Sequence, residues 1–241
     1  MRKTPRSREA SARRRRHGQG RISRIPAQAR PGRTKKEQRE ISVARLLEAA
    51  LGYFVTEGYR GTTIERIANA AGLTKGAVYF YFKSKAGVLI RLLEWAEESI
   101  IDPTIQAIEE AGPQAIDRLV AFMHTQSLVT TERPERTALS RLVLLMSLEF
   151  RGTNDPIEKN LDKMMARLDA ALTETVEMGK RQGEFRRDLD TRQLVAMIMS
   201  INQGCFLEWD RHAGTLDGPA FVRAMRLMVL AGIGTAAAPE T

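Results

Sequence analysis

The densest run of residues able to act on another molecule is Thr74-Lys75-Gly76-Ala77-Val78 followed by Tyr79-Phe80-Tyr81-Phe82. A glycine in the first turn of a short helix costs up to about 1 kcal/mol relative to alanine, so it asks for a reason. Gly76 and Ala77 leave one face bare, and Lys75, Tyr79 and Phe80 project around that bare patch. This combination suits contact with a duplex: backbone close to the groove, rings against thymine methyls and sugars, an ammonium beside phosphate. A helix this short, in a three-helix unit, cannot bury its whole circumference. Outward contact is therefore a better reading than an all-core aromatic cluster.

Such a helix needs a support that holds it at a steep angle. Ala68, Gly72 and Val78 supply a small residue at the crossing, a turn residue and an apolar anchor, at the spacing of a helix-turn-helix. Ile67, Leu73 and Phe82 close the core beneath it. Upstream, Ile41, Ala44, Leu47, Leu51, Phe54 and Val55 mark one face of a first helix that starts at Lys36 and ends at Gly58. Thr62, three residues before Glu65, reads as a capping box opening the second helix; Thr74 caps the third, and Ser84 a fourth beginning at Lys85 or Ala86.

Beyond Ala86 only helical patterning is found, over about 86–110 with a break expected at Pro103, then 113–131, 135–151, 155–182, 190–211 and 218–234. The fold class is all-α, with about nine helices. The expected domains are a disordered basic arm over 1–35, a DNA-binding unit over 36–85, a larger helical domain over 86–235 and a flexible tail over 236–241. The net charge of +9 is concentrated at the start: residues 1–37 carry fourteen Lys or Arg against Glu9 and Glu37. That arm, with Arg13-Arg14-Arg15-Arg16, is either a DNA-flank contact or a dispensable leader.

The same inventory excludes several classes. With His17, His124, His212 and the single Cys205, no catalytic constellation, metal site or cofactor site is expected. No apolar run approaches the 18 residues of a membrane span, and no signal peptide follows the basic start, so a cytoplasmic protein without membrane contact is expected. A non-specific nucleic-acid packing protein driven by the arm is the rival class. Within 190–211, Leu194, Met197, Ile198, Ile201 and Cys205 form one apolar face and Val195, Met199, Asn202 and Phe206 another. A helix apolar most of the way round must be buried on several sides. Phe221, Met225 and Met228 give the last helix the same character. One short reading helix covers few base pairs, so a homodimer on a palindromic operator is expected, joined through these two helices.

The segments Gly58-Tyr59-Arg60-Gly61-Thr62-Thr63 and Ile67-Ala68-Asn69-Ala70-Ala71-Gly72-Leu73-Thr74-Lys75-Gly76-Ala77-Val78-Tyr79-Phe80-Tyr81-Phe82-Lys83-Ser84-Lys85 resemble the TetR family of bacterial repressors. The likeness covers about Lys36 to Leu93. It implies phosphate contacts at Thr63 and Lys85, and recognition-helix positions at Thr74, Lys75, Gly76, Ala77, Tyr79, Phe80 and Tyr81. Thr63 has independent support, because helix N-termini attract anions. Phe80-Tyr81 departs from members that place a polar residue or His at one of these positions. The resemblance further implies a repressor released from its operator by a small, mostly apolar effector. Its cavity is expected to be lined by Trp95, Phe122, Met123 and Gln126, and by Met146, Phe150, Met164 and Leu168, on helices that surround it in the family.

Overall fold

The computed structural model of the chain describes residues 34–131, 134–212 and 215–235. The expectations for the arm over 1–33 and for the tail over 236–241 fall outside these residues. Ten α-helices are described: α1 (Lys35–Gly61), α2 (Ile64–Ala70), α3 (Lys75–Phe82), α4 (Lys85–Ala96), α5 (Asp102–Glu110), α6 (Ala115–Thr131), α7 (Pro134–Glu149), α8 (Pro156–Gln182), α9 (Thr191–Arg211) and α10 (Gly218–Ile233). A π-helical turn, Glu97–Ile101, joins α4 to α5, so the three form one rod and the expected helix count holds. The break expected at Pro103 is instead this π turn just upstream, with Pro103 tolerated in the first turn of α5. The chain's sheet content, among the described residues, is one isolated bridge between Phe185 and Gly234.

Local chemistry explains most helix starts. Thr34, Thr74, Ser84, Asp155, Asp190 and Asp217 each accept a backbone N–H from the first turn that follows them. The second helix is capped one residue later than the sequence suggested. Thr63 accepts from Arg66 N–H, whereas Thr62 is buried and donates its hydroxyl to the carbonyl of Gly58 at 2.7 Å. The reason lies in α1, which does not stop at Gly58 but kinks there, at φ 73°, a conformation that favours glycine. Thr62 belongs to the end of that turn.

Leu46, Ala50, Phe54, Ile67 and Val78 make the core of the first three helices, continuous with Leu89, Leu92 and Leu93 of α4. The core then passes through Phe122, Leu139, Met146, Leu168 and Leu172 into the larger helical layer. After α8, the ring of Phe185 lies directly over Gly179, where any Cβ would collide with it. Arg186 N–H then donates to Ile233 O at 2.9 Å and Thr235 N–H to Glu184 O at 3.1 Å, tying the end of α10 to the end of α8.

Candidate DNA-reading surface and effector cavity

On α3 the side chains divide as a reading helix requires. Val78 is fully buried, while Tyr79 is 43% and Phe80 69% exposed. Tyr81 and Phe82 are half-buried against the core, and Phe80 meets Tyr81 edge-on at 5.0 Å between ring centres. Thr74, Lys75 and Gly76 are exposed and Ala77 is half-buried, so the bare patch inferred from the sequence faces outward. Lys75 pairs with Glu65 of α2 and lies 5.8 Å from the Tyr79 ring centre. Its hydrogen bond to Glu65 raises its pKa and holds that of Glu65 below the usual carboxylate range. The Thr63 and Thr74 hydroxyl oxygens act as acceptors in their caps, and the Thr63 hydroxyl also bonds the Glu65 carboxylate, helping to hold its pKa down.

Lys85 is placed differently from the expected phosphate contact. Its ammonium donates to Tyr59 O at 2.7 Å and Thr62 O at 2.8 Å, and sits 4.2 Å from the centre of the Tyr59 ring. Burial pushes its pKa below the usual lysine value. The side chain is thus committed to the fold.

The turn that Lys85 holds is gripped from the other side by α7. The Glu149 carboxylate accepts from Tyr59 N–H and from Arg60 N–H, each at 2.9 Å, and Phe150 meets the Tyr59 ring at 5.1 Å. Nothing local in the sequence marks Glu149 for this task, since its partners lie 89 and 90 residues away.

Ser147, Leu148, Phe150 and Arg151, the neighbours of Glu149, form part of the wall of a cavity of about 730 Å³. This volume falls in the range of small-molecule sites. The wall also takes Ile100 and Ile101 from the π turn, Val143 and Leu144 from α7, and Leu161, Met165 and Leu168 from α8. Of the residues expected here, Gln126, Phe150 and Leu168 do reach the cavity. Phe122, Met123, Met146 and Met164 are instead buried core residues, and Trp95 is half-buried away from the wall. Successive helical residues point about 100° apart, so Met165 faces the cavity where Met164 cannot.

The two faces of α9 are also reassigned. Val195, Met199, Asn202 and Phe206 line the cavity, joined by Cys205 from the other face and by Phe221 and Met225 of α10. Leu194 and Ile198 are buried within the chain, and Ile201 is half-buried against the same core. Of the residues expected at a dimer surface, Met197 (58% exposed) and Met228 (72%) are open, together with Leu207 and Leu227. An all-round apolar helix carries no label for which side meets core, ligand or partner.

Among the described residues no helix is long and apolar enough to cross a membrane. Residues 46–92 match the family described as bacterial regulatory proteins, tetR family, and residues 115–214 match the tetracyclin repressor-like C-terminal domain. The crystal structure of the MbdR regulator from Azoarcus sp. CIB superposes with a TM-score of 0.70 at 37% identity, covering 79% of this chain and 98% of that one. The HTH-type transcriptional regulator TtgR of Pseudomonas putida is 28% identical over 73% of this chain and 83% of its own length. FadR from Bacillus subtilis, solved in complex with stearoyl-CoA, shares the fold with a TM-score of 0.63 at 22% identity, over 79% of this chain and 98% of its own. With both its reading unit and its helical domain matched, the chain belongs to the TetR family of bacterial regulatory proteins and is a sequence-specific, DNA-binding transcriptional regulator.

Proposed function

We propose that this regulator is a homodimeric repressor that grips a palindromic operator through Tyr79, Phe80 and the neighbouring residues of α3. A small, mostly apolar molecule entering the cavity releases it. The observation that carries this reading is the end of α7. Ser147 and Leu148 there wall the cavity, and the next residue, Glu149, holds the last turn of α1 through the N–H groups of Tyr59 and Arg60. A ligand that moves this end of α7 must move or release the reading unit. Two copies supply the paired reading helices of a palindrome. The surface that fits this role carries Met197 and Leu207 on α9 and Leu227 and Met228 on α10, beside Gly204 and Gly232 with open space above them.

Selection of bound duplexes from a random pool tests the DNA half of the reading, and inverted repeats are expected. On the selected operator, Tyr79→Ala should lower specific binding more than binding to a scrambled duplex, because its ring packs on a particular base and sugar. Equal losses on both duplexes would remove α3 as the reader. The ligand half is tested by titrating the operator complex with stearoyl-CoA and with the neutral fluorophore N-phenyl-1-naphthylamine. A compound that releases DNA must bind less tightly, by the same factor, when operator is saturating. Cavity binding with no effect on operator affinity would refute release as the control.

A further inference from the structure

Three helices contribute neutral polar groups to one continuous ladder at the cavity, and its hydrogen-bond direction follows from its buried end. Thr104 of α5 is wholly buried, with its hydroxyl oxygen 2.6 Å from the carbonyl oxygen of Ile100 in the π turn. A carbonyl can only accept, so the hydroxyl must donate there. It can therefore only accept from Gln126 of α6, whose Nε2 lies 2.9 Å away. That fixes the Gln126 amide with its Oε1 turned toward α9, where it accepts from Asn202 Nδ2 at 3.4 Å. Each link leaves the next no choice of orientation. Asn202 is left with its Oδ1 acceptor and one N–H unused among the described contacts.

Gln126 and Asn202 both belong to the cavity wall. Along α9 the wall runs from Arg192 to Trp209, with Val195 and Met199 on one side of Asn202 and Cys205 and Phe206 on the other. At 1.5 Å per residue, Arg192 lies about 15 Å from Asn202 along the helix. Arg192, Arg151, Asp162 and Asp169 on this wall are exposed, and Glu158, half-buried, is engaged by the backbone N–H groups of Gly152 and Asn154 in the loop before α8. The cavity wall is thus mostly apolar where it follows α9 and carries there an uncharged crossbar, the Gln126–Asn202 pair, that offers both an acceptor and a donor.

Resting on the proposed effector role of this cavity, we infer that Asn202, held by Gln126 and Thr104, is a specificity subsite. It reads an uncharged donor-and-acceptor group, a hydroxyl or an amide, carried within an otherwise apolar ligand. A carboxylate cannot take this place. It would bring a second acceptor against Asn202 Oδ1 and would lose its hydration with no cation in contact. A ligand with only acceptors, such as an ester, would satisfy the N–H and leave Oδ1 unpaired. Thr104 and Gln126 act as positioning residues for Asn202.

The test uses a matched pair of probes, N-hexylhexanamide and hexyl hexanoate, which differ by one N–H in place of an ester oxygen. Their affinities for the full-length protein are read by displacement of N-phenyl-1-naphthylamine. The amide costs more to strip of water than the ester, so an apolar channel alone would favour the ester. With the crossbar present, the amide should bind about fivefold more tightly, the effect of one net neutral hydrogen bond. Asn202→Leu, similar in size, should abolish or reverse that preference. Asn202→Ala, which adds no bulk, should do the same. A wild-type protein that takes up the fluorophore yet binds the ester as tightly as the amide overturns the subsite while leaving the cavity standing. Persistence of the amide preference in both variants overturns it as well. Failure to take up the fluorophore at all would instead defeat the cavity's effector role, and this inference with it.

Discussion

Glu149→Ala isolates the contact between cavity wall and reading unit. The carboxylate accepts two backbone N–H groups at 2.9 Å each, and its side chain is 20% exposed, so water only partly replaces it. Hydrogen bonds to charged groups contribute roughly 1.5–3 kcal/mol each, and two bonds on one carboxylate are not additive. The nearby Arg60 guanidinium, at 3.9 Å from the same carboxylate and 80% exposed, adds little. The expected loss is therefore about 2–4 kcal/mol, read as a lower urea midpoint of the full chain at unchanged slope. Glu149→Gln retains one acceptor oxygen without the charge and should lose roughly half as much. Gly58→Ala approaches the same contact from the other side. It forces a Cβ to within 3.1 Å of the carboxylate at a φ of 73° and should also destabilise, by about 1–3 kcal/mol. In operator titrations the Glu149→Ala protein should bind more weakly and respond less to a cavity ligand than the wild type. An unchanged urea midpoint together with undiminished ligand response would refute the clamp.

Lys85→Met keeps the aliphatic stem but leaves the carbonyls of Tyr59 and Thr62 without their donor; it should cost about 1–3 kcal/mol in urea unfolding. A variant of native stability whose only change is a lower salt slope on DNA would return Lys85 to the role of phosphate contact. Met228→Asp places a charge on an exposed apolar face and should turn a dimer into a folded monomer in light scattering, whereas Met225→Asp, in the buried core, should impair folding itself. A wild type that is monomeric at micromolar concentration would dismiss the dimer. Glu158 is held below the usual carboxylate range mainly by Gly152 N–H, with Asn154 and Thr153 adding to it. Since its folded pKa is depressed, its stabilisation of the loop before α8 is complete above the ordinary glutamate value and is lost as pH falls through the folded one. Amide exchange at Gly152 and Asn154 should rise over that acidic window in wild type but not in Glu158→Gln.

What the sequence determined by itself was local. Caps at Thr74, Ser84 and Asp190 satisfy donors within three residues, so side chain and backbone partner stand together in the chain. The outward Tyr79 and Phe80 followed from the limited circumference a short helix can bury, and the division of the chain into a reading unit and a helical domain followed from spacing. Tertiary structure decided whatever depended on a partner far along the chain. Lys85 turns inward because two carbonyls more than twenty residues upstream meet it there. Met165 rather than Met164 reaches the cavity because a rotation of one residue about α8 follows from packing, not from composition. In the sequence Asn202 is only one member of an apolar face with Val195, Met199 and Phe206, and its role required Gln126 and Thr104 from two other helices. Periodicity reveals that a helix has an apolar face; what lies opposite that face is fixed only when the helices pack.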